Sequence, residues 1–282
     1  MANIRIAAAA SLINGLPEVI AEYQSNSLYS GNTIVWVAYG GSYALAREIL
    51  GVAPDDSVAN PTNPSYVTPP LPADILLTAS TDAMDVVNNP GNHNHHNPNS
   101  VTLLSGPTNF IGNTLVLIQN SAASSLGITG FGDAYTKIGS GHIWVAEPDD
   151  APAGEYAEDA FNAVPGGTPW ATVYSKAQSD NTIGSDVQVA LNGFLLDSQS
   201  VSPATPAIAV VYNSDFVGIN TAIHPNITLV ANAPSGSVTI TYQAAVLSYA
   251  TAHGVASAAN TFWTYLQTSA NRILGPLGYA TI

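Results

Sequence analysis

Residues Ile4 to Leu12, I-R-I-A-A-A-A-S-L, carry an apolar strand directly into a serine that can open a helix. The join recurs at Trp36–Ser42 (W-V-A-Y-G-G-S, then Y-A-L-A-R-E-I-L) and at Trp144–Tyr156 (W-V-A-E-P-D-D-A-P-A-G-E-Y). A strand that ends at a helix start leaves backbone N–H groups with no acceptor inside the helix, at the positive end of its dipole. A hydroxyl beside them completes a cradle for an anion. Chains built this way alternate strand and helix and bring several helix starts to one edge. Such ends, converging from two lobes, make a site for a small oxyanion.

The rest of the chain follows that alternation, which reads as α/β. Strands are expected at Ile4–Ala9, Thr33–Ala38, Ile75–Thr78, Thr114–Ile118, His142–Ala146 and Ala207–Tyr212, with Val238–Leu247 a further pair or one bent strand. Between them Leu12, Leu16, Val19, Ile20 and Tyr23 share one helix face, with Pro17 kinking that helix or standing in its first turn behind an Asn14 cap. Tyr156, Ala160, Phe161 and Val164 form a second stripe. Val187, Leu191, Phe194 and Leu195 form a third behind Ser185 or Asp186 as cap, and Phe262, Leu266 and Ile273 mark a last helix that stops at Gly275–Pro276. Pro54–Pro70, Asn88–Ser100 and Asp197–Pro206 are rich in Pro, Asn, Ser or Thr and read as inserted surface loops. No internal repeat is evident.

Composition narrows the function. Five Lys and Arg against nineteen Asp and Glu give a formal charge of −14, which argues against nucleic acid or an anionic membrane as partner. Charged residues are only 9% of the chain, so its surface is one of Ser, Thr, Asn and Ala, a kind prone to self-association. With no cysteine, disulfides, thiolate catalysis and Cys-based metal sites are excluded. No apolar run reaches membrane-spanning length, and the N-terminus has no basic region or cleavage site of a leader, so membrane insertion is not expected. No nucleophile elbow, P-loop or dinucleotide fingerprint occurs, which argues against an enzyme.

Several polar groups have both a chemical and a plain reading. His93, His95 and His96 offer imidazoles for Zn²⁺, Ni²⁺ or Cu²⁺, but a flexible loop without a nearby carboxylate is a poor preformed site. Glu147, Asp149 and Asp150 suggest paired carboxylates or a Ca²⁺ loop, yet lack the glycine-centred spacing of one and read as a solvated turn. Asp74, in P-A-D-I-L-L, is expected to order a strand start through backbone hydrogen bonds. Arg47 is expected to pair with solvent or Glu48.

One set of strings carries a resemblance. A-A-A-S-L at Ala8–Leu12, S-x-x-L-A-R at Ser42–Arg47 and P-A-D-I at Pro72–Ile75 occur in that order. P-A-G-x-Y-A at Pro152–Ala157, D-V at Asp186–Val187 and V-V-Y-x-S-D at Val210–Asp215 follow. Together they resemble the molybdate/tungstate-binding proteins that serve ABC transporters, over nearly the whole chain outside the three loops. The resemblance implies a type II periplasmic-binding-protein fold of two α/β lobes, each a mixed sheet flanked by helices, with the ligand cleft between lobes. Residues 1–105 and 240–282 would form the first lobe and 106–239 the second. It implies oxyanion contacts at Ser11, Ser42, Ala153, Val187 and Tyr212: hydroxyls and N–H groups from the serines, backbone N–H from Ala153 and Val187, a phenol from Tyr212. Taken singly, the serines are helix caps, Ala153 part of a turn, and Val187 and Tyr212 core positions.

The function so implied is non-catalytic capture of molybdate or tungstate, with no cofactor, a periplasmic or extracellular location and an ABC permease as partner. None of the five positions is Lys or Arg, and an unprotonated dianion needs donors only. The lysine-poor surface departs from the family and weakens the case for permease docking. It leaves a rival reading, a secreted or surface self-assembling structural protein on a binding-protein fold.

Overall fold

The computed structural model describes residues 2–29, 31–52, 71–93, 97, 99–199, 205–219 and 223–282. The loop Pro54–Pro70, the histidines His95 and His96, and residues 200–204 lie outside the described residues.

In chain order the elements begin β1 (Ala2–Ala9), α1 (Leu16–Ser25), β2 (Asn32–Gly40), α2 (Ser42–Leu50), β3 (Ile75–Thr78), α3 (Thr81–Asn88) and β4 (Leu103–Asn113). They continue with β5 (Leu115–Gln119), α4 (Ser121–Ser124), α5 (Phe131–Ile138), β6 (His142–Ala146), α6 (Pro152–Asn162), α7 (Trp170–Asp180), β7 (Ile183–Gly184) and α8 (Val187–Gln199). The last are β8 (Ala207–Tyr212), α9 (Asn213–Gly218), β9 (Thr228–Asn232), β10 (Ile240–Leu247), α10 (Tyr249–Ala252) and α11 (Ala256–Leu274). They fall into two compact units: residues 1–112, 241–276 and 280–282, and residues 113–240 and 277–279. No helix among the described residues is long and apolar enough to cross a membrane.

In the first unit β1 is buried on both faces over Ile6–Ala9, as that apolar run requires of an inner parallel strand. Its five-stranded sheet runs β2-β1-β3-β10-β4, with β1 parallel to β2 and β3, and β10 antiparallel to β3. Ala7, Leu76 and Ala245 pack under α2 and α3 together with Leu45, Ile49, Met84 and Val87. α1 and α11 pack together, where Tyr23, Tyr29, Phe262 and Tyr265 form a ring cluster with centroids 4.6 to 5.4 Å apart. Pro17 stands in the first turn of α1, behind Gly15 instead of the expected Asn14 cap, so the helix has no kink to explain. Leu12 belongs to a separate 3-10 turn, Ala10–Leu12.

Asp74 behaves as its place before β3 suggests. Its Oδ2 accepts from the Arg5 N–H at 2.8 Å and its Oδ1 lies 2.6 Å from His253 Nδ1. Arg5 Nη1 in turn lies 3.1 Å from His253 Nε2, so Asp74 fastens β3 to β1 and to the end of α10.

The second unit repeats the strand pattern. Its sheet runs β7-β6-β8-β5-β9, with β6 parallel to β7 and β8, and β5 antiparallel to β8 and β9. Phe131, Phe161, Trp170 and Tyr174 link α5, α6 and α7 in a chain of ring contacts. Gly193 is required where α8 crosses Trp144, because a Cβ there would stand 2.1 Å from the indole. Three strands have no counterpart in the sequence reading: β4, which runs unbroken through Gly106–Pro107; two-residue β7; and β9, whose T-L-V-A-N is short and half exposed. Val238–Leu247 resolves into the single strand β10.

Candidate functional site

In the first unit three parallel strands end together. Ala8 stands opposite Tyr39 of β2 and Leu77 of β3, so all three carboxyl ends lie on one edge of the sheet. The central strand leads into Ser11 in its 3-10 turn, β2 into Ser42 at the first position of α2, and β3 into Ser80, the cap of α3. Reversal of strand order about a central parallel strand leaves this edge as the place where open α/β sheets take ligands.

The hydroxyls there are nearly sealed, Ser11 and Ser42 each being 1% exposed. Ser42 Oγ accepts the Ala79 N–H at 3.0 Å, which ties the end of β3 to the start of α2. Ser11 Oγ lies 2.7 Å from the Tyr242 hydroxyl of β10, itself fully buried. Ser80 Oγ accepts the Ala83 N–H at 3.0 Å and caps α3. Sequence reasoning missed Ser80, although S-T-D after a strand spells a cap. It also missed Tyr242, 231 residues from its partner, for which no local signal exists.

The second unit presents the same edge with different groups. β6 leads through a turn into α6, which starts at Pro152 with Ala153 in its first turn, 2% exposed. Gly154 lets that helix start close against the turn: a Cβ would stand 2.5 Å from Pro148 N and 2.6 Å from Ala146 O. Glu147, in the turn, accepts the Tyr174 O–H at 2.7 Å on either oxygen, so this carboxylate is a bracing group. Burial, with Glu147 beside it, pushes the Tyr174 phenol above its ordinary range.

β7 leads into α8 at Val187, 3% exposed. Of the two expected caps it is Asp186 that serves, its Oδ1 accepting the N–H groups of Gln188 at 2.8 Å and Val189 at 3.0 Å. β8 ends at Tyr212, 1% exposed, whose ring meets Tyr156 edge-on at 6.5 Å. Behind Tyr212 lies Asp215, wholly buried, its Oδ2 accepting the Tyr212 N–H at 3.1 Å and its Oδ1 the Gln188 side-chain amide at 2.6 Å. Burial pushes Asp215 up to about 8 against the pull of those donors, and Asp186 adds to the rise. The Gln188–Asp215 bond thereby fixes the start of α8 against the start of α9.

Two expectations are corrected. Arg47 is buried, 8% exposed, so solvent does not receive it, whereas Glu48, the other expected partner, does feel its charge: burial raises the Glu48 carboxyl and Arg47 pulls it back down. Its neighbours on the helix face explain this, because Tyr43 and Leu50, four before it and three after it in α2, are themselves buried. His93 is held by Asp85, with Nε2 3.1 Å from Oδ2, so a carboxylate does stand beside that loop. Among the described residues no three His, Asp or Glu side chains gather as a metal site.

Comparison with known proteins agrees with this architecture. Among solved structures, the substrate-binding domain of a molybdenum ABC transporter from Clostridium difficile is 21% identical, each chain covering the other fully, with a TM-score of 0.53. The tungstate-binding protein TupA from Desulfovibrio alaskensis G20 is 13% identical over 100% of this chain and 99% of that one, with a TM-score of 0.57. The sulfate-binding protein SubI from Mycobacterium tuberculosis H37Rv is 13% identical over 100% of this chain and 88% of that one, with a TM-score of 0.64. No curated protein matches the sequence significantly. These likenesses fix the fold as that of the two-lobed periplasmic binding proteins. The family model for bacterial extracellular solute-binding proteins matches residues 4–279, and the chain belongs to that family.

Proposed function

We propose that this solute-binding protein captures a tetrahedral oxyanion, molybdate or tungstate, reversibly and without chemistry. Ser11 and Ser42 of the first unit and the Ala153 N–H, Val187 N–H and Tyr212 phenol of the second supply its donors. The observation that carries the reading is that all five lie where parallel strands give way to the next element along the carboxyl edge of their own sheet. Neutral donors at helix starts hold a dianion without burying a cation beside it. The protein then works outside the cytoplasm, periplasmic or extracellular as its family description suggests, and delivers the anion to an ABC permease. Isothermal calorimetry and thermal melting with molybdate, tungstate, sulfate and phosphate test this. Heat and a raised melting temperature are expected with molybdate or tungstate; no response to either removes the proposal.

A second reading, self-assembly, has one observation in its favour. β2 ends its sheet, carries no charge from Asn32 to Gly40, and exposes Val35 and Trp36. Sedimentation at rising concentration tests it, a strict monomer counting against it.

A further inference from the structure

In the second unit one carboxyl braces two of the proposed donor elements at once. Asp215, wholly buried, accepts the Tyr212 N–H on Oδ2 at 3.1 Å and meets the Gln188 side-chain amide on Oδ1 at 2.6 Å. Gln188 directly follows Val187, and its own N–H is taken by Asp186 at 2.8 Å. Among the described residues no Lys, Arg or His hydrogen-bonds or pairs with Asp215. The elements packed against α9 bring no cation either. β5 and β8 carry no titratable residue but Tyr212, whose ring meets Tyr156 of α6, and the closing stretch adds Tyr279. Ahead of α8 stands Asp186, whose negative charge opposes a second one beside it. A carboxyl sealed from water without a cation favours its neutral form. Oδ2 is committed to the Tyr212 N–H, so the proton belongs on Oδ1, facing Gln188. A glutamine amide serves either state: its NH2 donates to a carboxylate, and turned over, its carbonyl accepts from the acid.

We infer that Asp215 and Gln188 are positioning residues that act as a proton-holding pair: Asp215 keeps its proton while a dianion occupies the site, and the anion is held less tightly once that proton is lost. The inference rests on the oxyanion reading above. A dianion at the Val187 N–H and the Tyr212 phenol repels negative charge set behind those donors. Binding therefore favours the protonated carboxyl, and by linkage it draws a proton from solution wherever the free protein has begun to lose it. Burial places that loss at about 8. Affinity is full below this value and falls as pH rises through it. Molybdate and sulfate carry no proton of their own in this range, so the change reports on the protein.

The test is calorimetry of molybdate and of sulfate binding to the full chain between about pH 6 and 9, in pairs of buffers that differ in ionisation heat. The unsubstituted protein is expected to bind about 10-fold more weakly at pH 9 than at pH 7, taking up close to one proton per anion at the upper end, as linkage to a single group requires. Asp215→Asn keeps an acceptor for the Tyr212 N–H and a donor for the Gln188 carbonyl but has no proton to lose. It should bind with a flat pH profile and no proton uptake. A bracing role alone would change affinity equally at every pH. Anion binding by the unsubstituted protein with no pH dependence and no proton uptake overturns the inference and leaves the oxyanion reading intact. Uptake that persists in Asp215→Asn overturns the assignment to this carboxyl. Should that variant fail to fold, the buffer dependence of the unsubstituted protein still decides whether a proton is taken up. No binding of either anion, or of tungstate, at any pH sinks both readings.

Discussion

The two units share a sheet plan yet furnish its carboxyl edge by opposite means. In each, a central parallel strand is flanked by two others, then by an antiparallel strand and an edge strand: β2-β1-β3-β10-β4 in one, β7-β6-β8-β5-β9 in the other. After the central strand comes Ser11 in the first unit and Ala153 in the second; after the flanking pair come Ser42 and Ser80 against Val187 and Tyr212. The first unit therefore offers hydroxyls whose direction is set by neighbours. The second offers mainly backbone N–H groups and sets two carboxylates, Asp186 and Asp215, just behind them. Under the proposed function, one plan thus yields a half-site tuned by side-chain hydrogen bonds and another tuned by backbone placement, so substitutions should injure the two through different mechanisms.

The largest effect is expected where backbone placement alone is at stake. Gly154→Ala forces a Cβ to within 2.6 Å of backbone atoms of Ala146 and Pro148 that cannot rotate away. Overpacking of this kind costs about 1–3 kcal/mol, read by chemical denaturation, and shifts the Ala153 N–H enough to lower oxyanion affinity as well. Equal stability and affinity would break the claim that the second half-site depends on the main chain. In the first unit Ser42→Ala removes a donor and leaves the Ala79 N–H without its oxygen, so binding of molybdate should weaken by about 1–3 kcal/mol in calorimetry. Ser11→Ala and Tyr212→Phe should each weaken it within the same range.

A smaller effect distinguishes the second unit by pH. Burial lifts the Asp215 carboxyl from its ordinary 3.8 to about 8, so the native state keeps a proton that the unfolded chain releases. Its stabilising share is complete below the unfolded value and is lost as pH rises through about 8. Asp215→Asn, which keeps an acceptor for Tyr212 N–H, should therefore flatten the fall in melting temperature between pH 6 and 9, a change of about 2–4 °C for each kcal/mol involved. An unaltered profile would mean that Asp215 is ionised in its site.

The smallest effect belongs to the first unit's surface. Arg272 and then Tyr265 hydrogen-bond Glu22, holding its carboxyl down from 4.5 to about 2. That contribution is present above pH 4.5 and is lost as pH falls through about 2. Arg272→Gln should therefore lower melting only slightly at pH 7, as befits an exposed pair, and leave it unmoved near pH 2, where Glu22 no longer contributes; an equal loss at both pH values would break this assignment.

What the sequence made legible follows from which interactions are local. The joins at Ser11, Ser42 and Ala153 could be read because an apolar run followed by a helix start is a contiguous signal. The Asp186 cap was readable for the same reason, and Asp74 from its place before a strand. Tyr242 was not, since its hydroxyl acquires meaning only when β10 lies beside β3, a pairing made across the whole second unit. The burial of Arg47 escaped because a lone cation in an apolar helix face looks like a solvent-facing one until its neighbours are placed. The strands β4 and β9 escaped because one carries Gly106–Pro107, residues that signal a turn in sequence, in its middle, and the other shows no alternation at its half-exposed edge.

The closing stretch of chain has a practical corollary. Residues 277–279 count with the second unit while 280–282 rejoin the first. Gly278 O takes the side-chain amide of Asn213, the residue directly after Tyr212, at 2.8 Å, and Ala280 bridges Gly112 through hydrogen bonds of 2.7 and 3.0 Å. A purification tag or reporter fused straight onto Ile282 would tug on this short stitch and, through Asn213, on the end of β8 at Tyr212. Labels for binding assays are better carried on the outward-facing surface of α7 or behind a generous spacer.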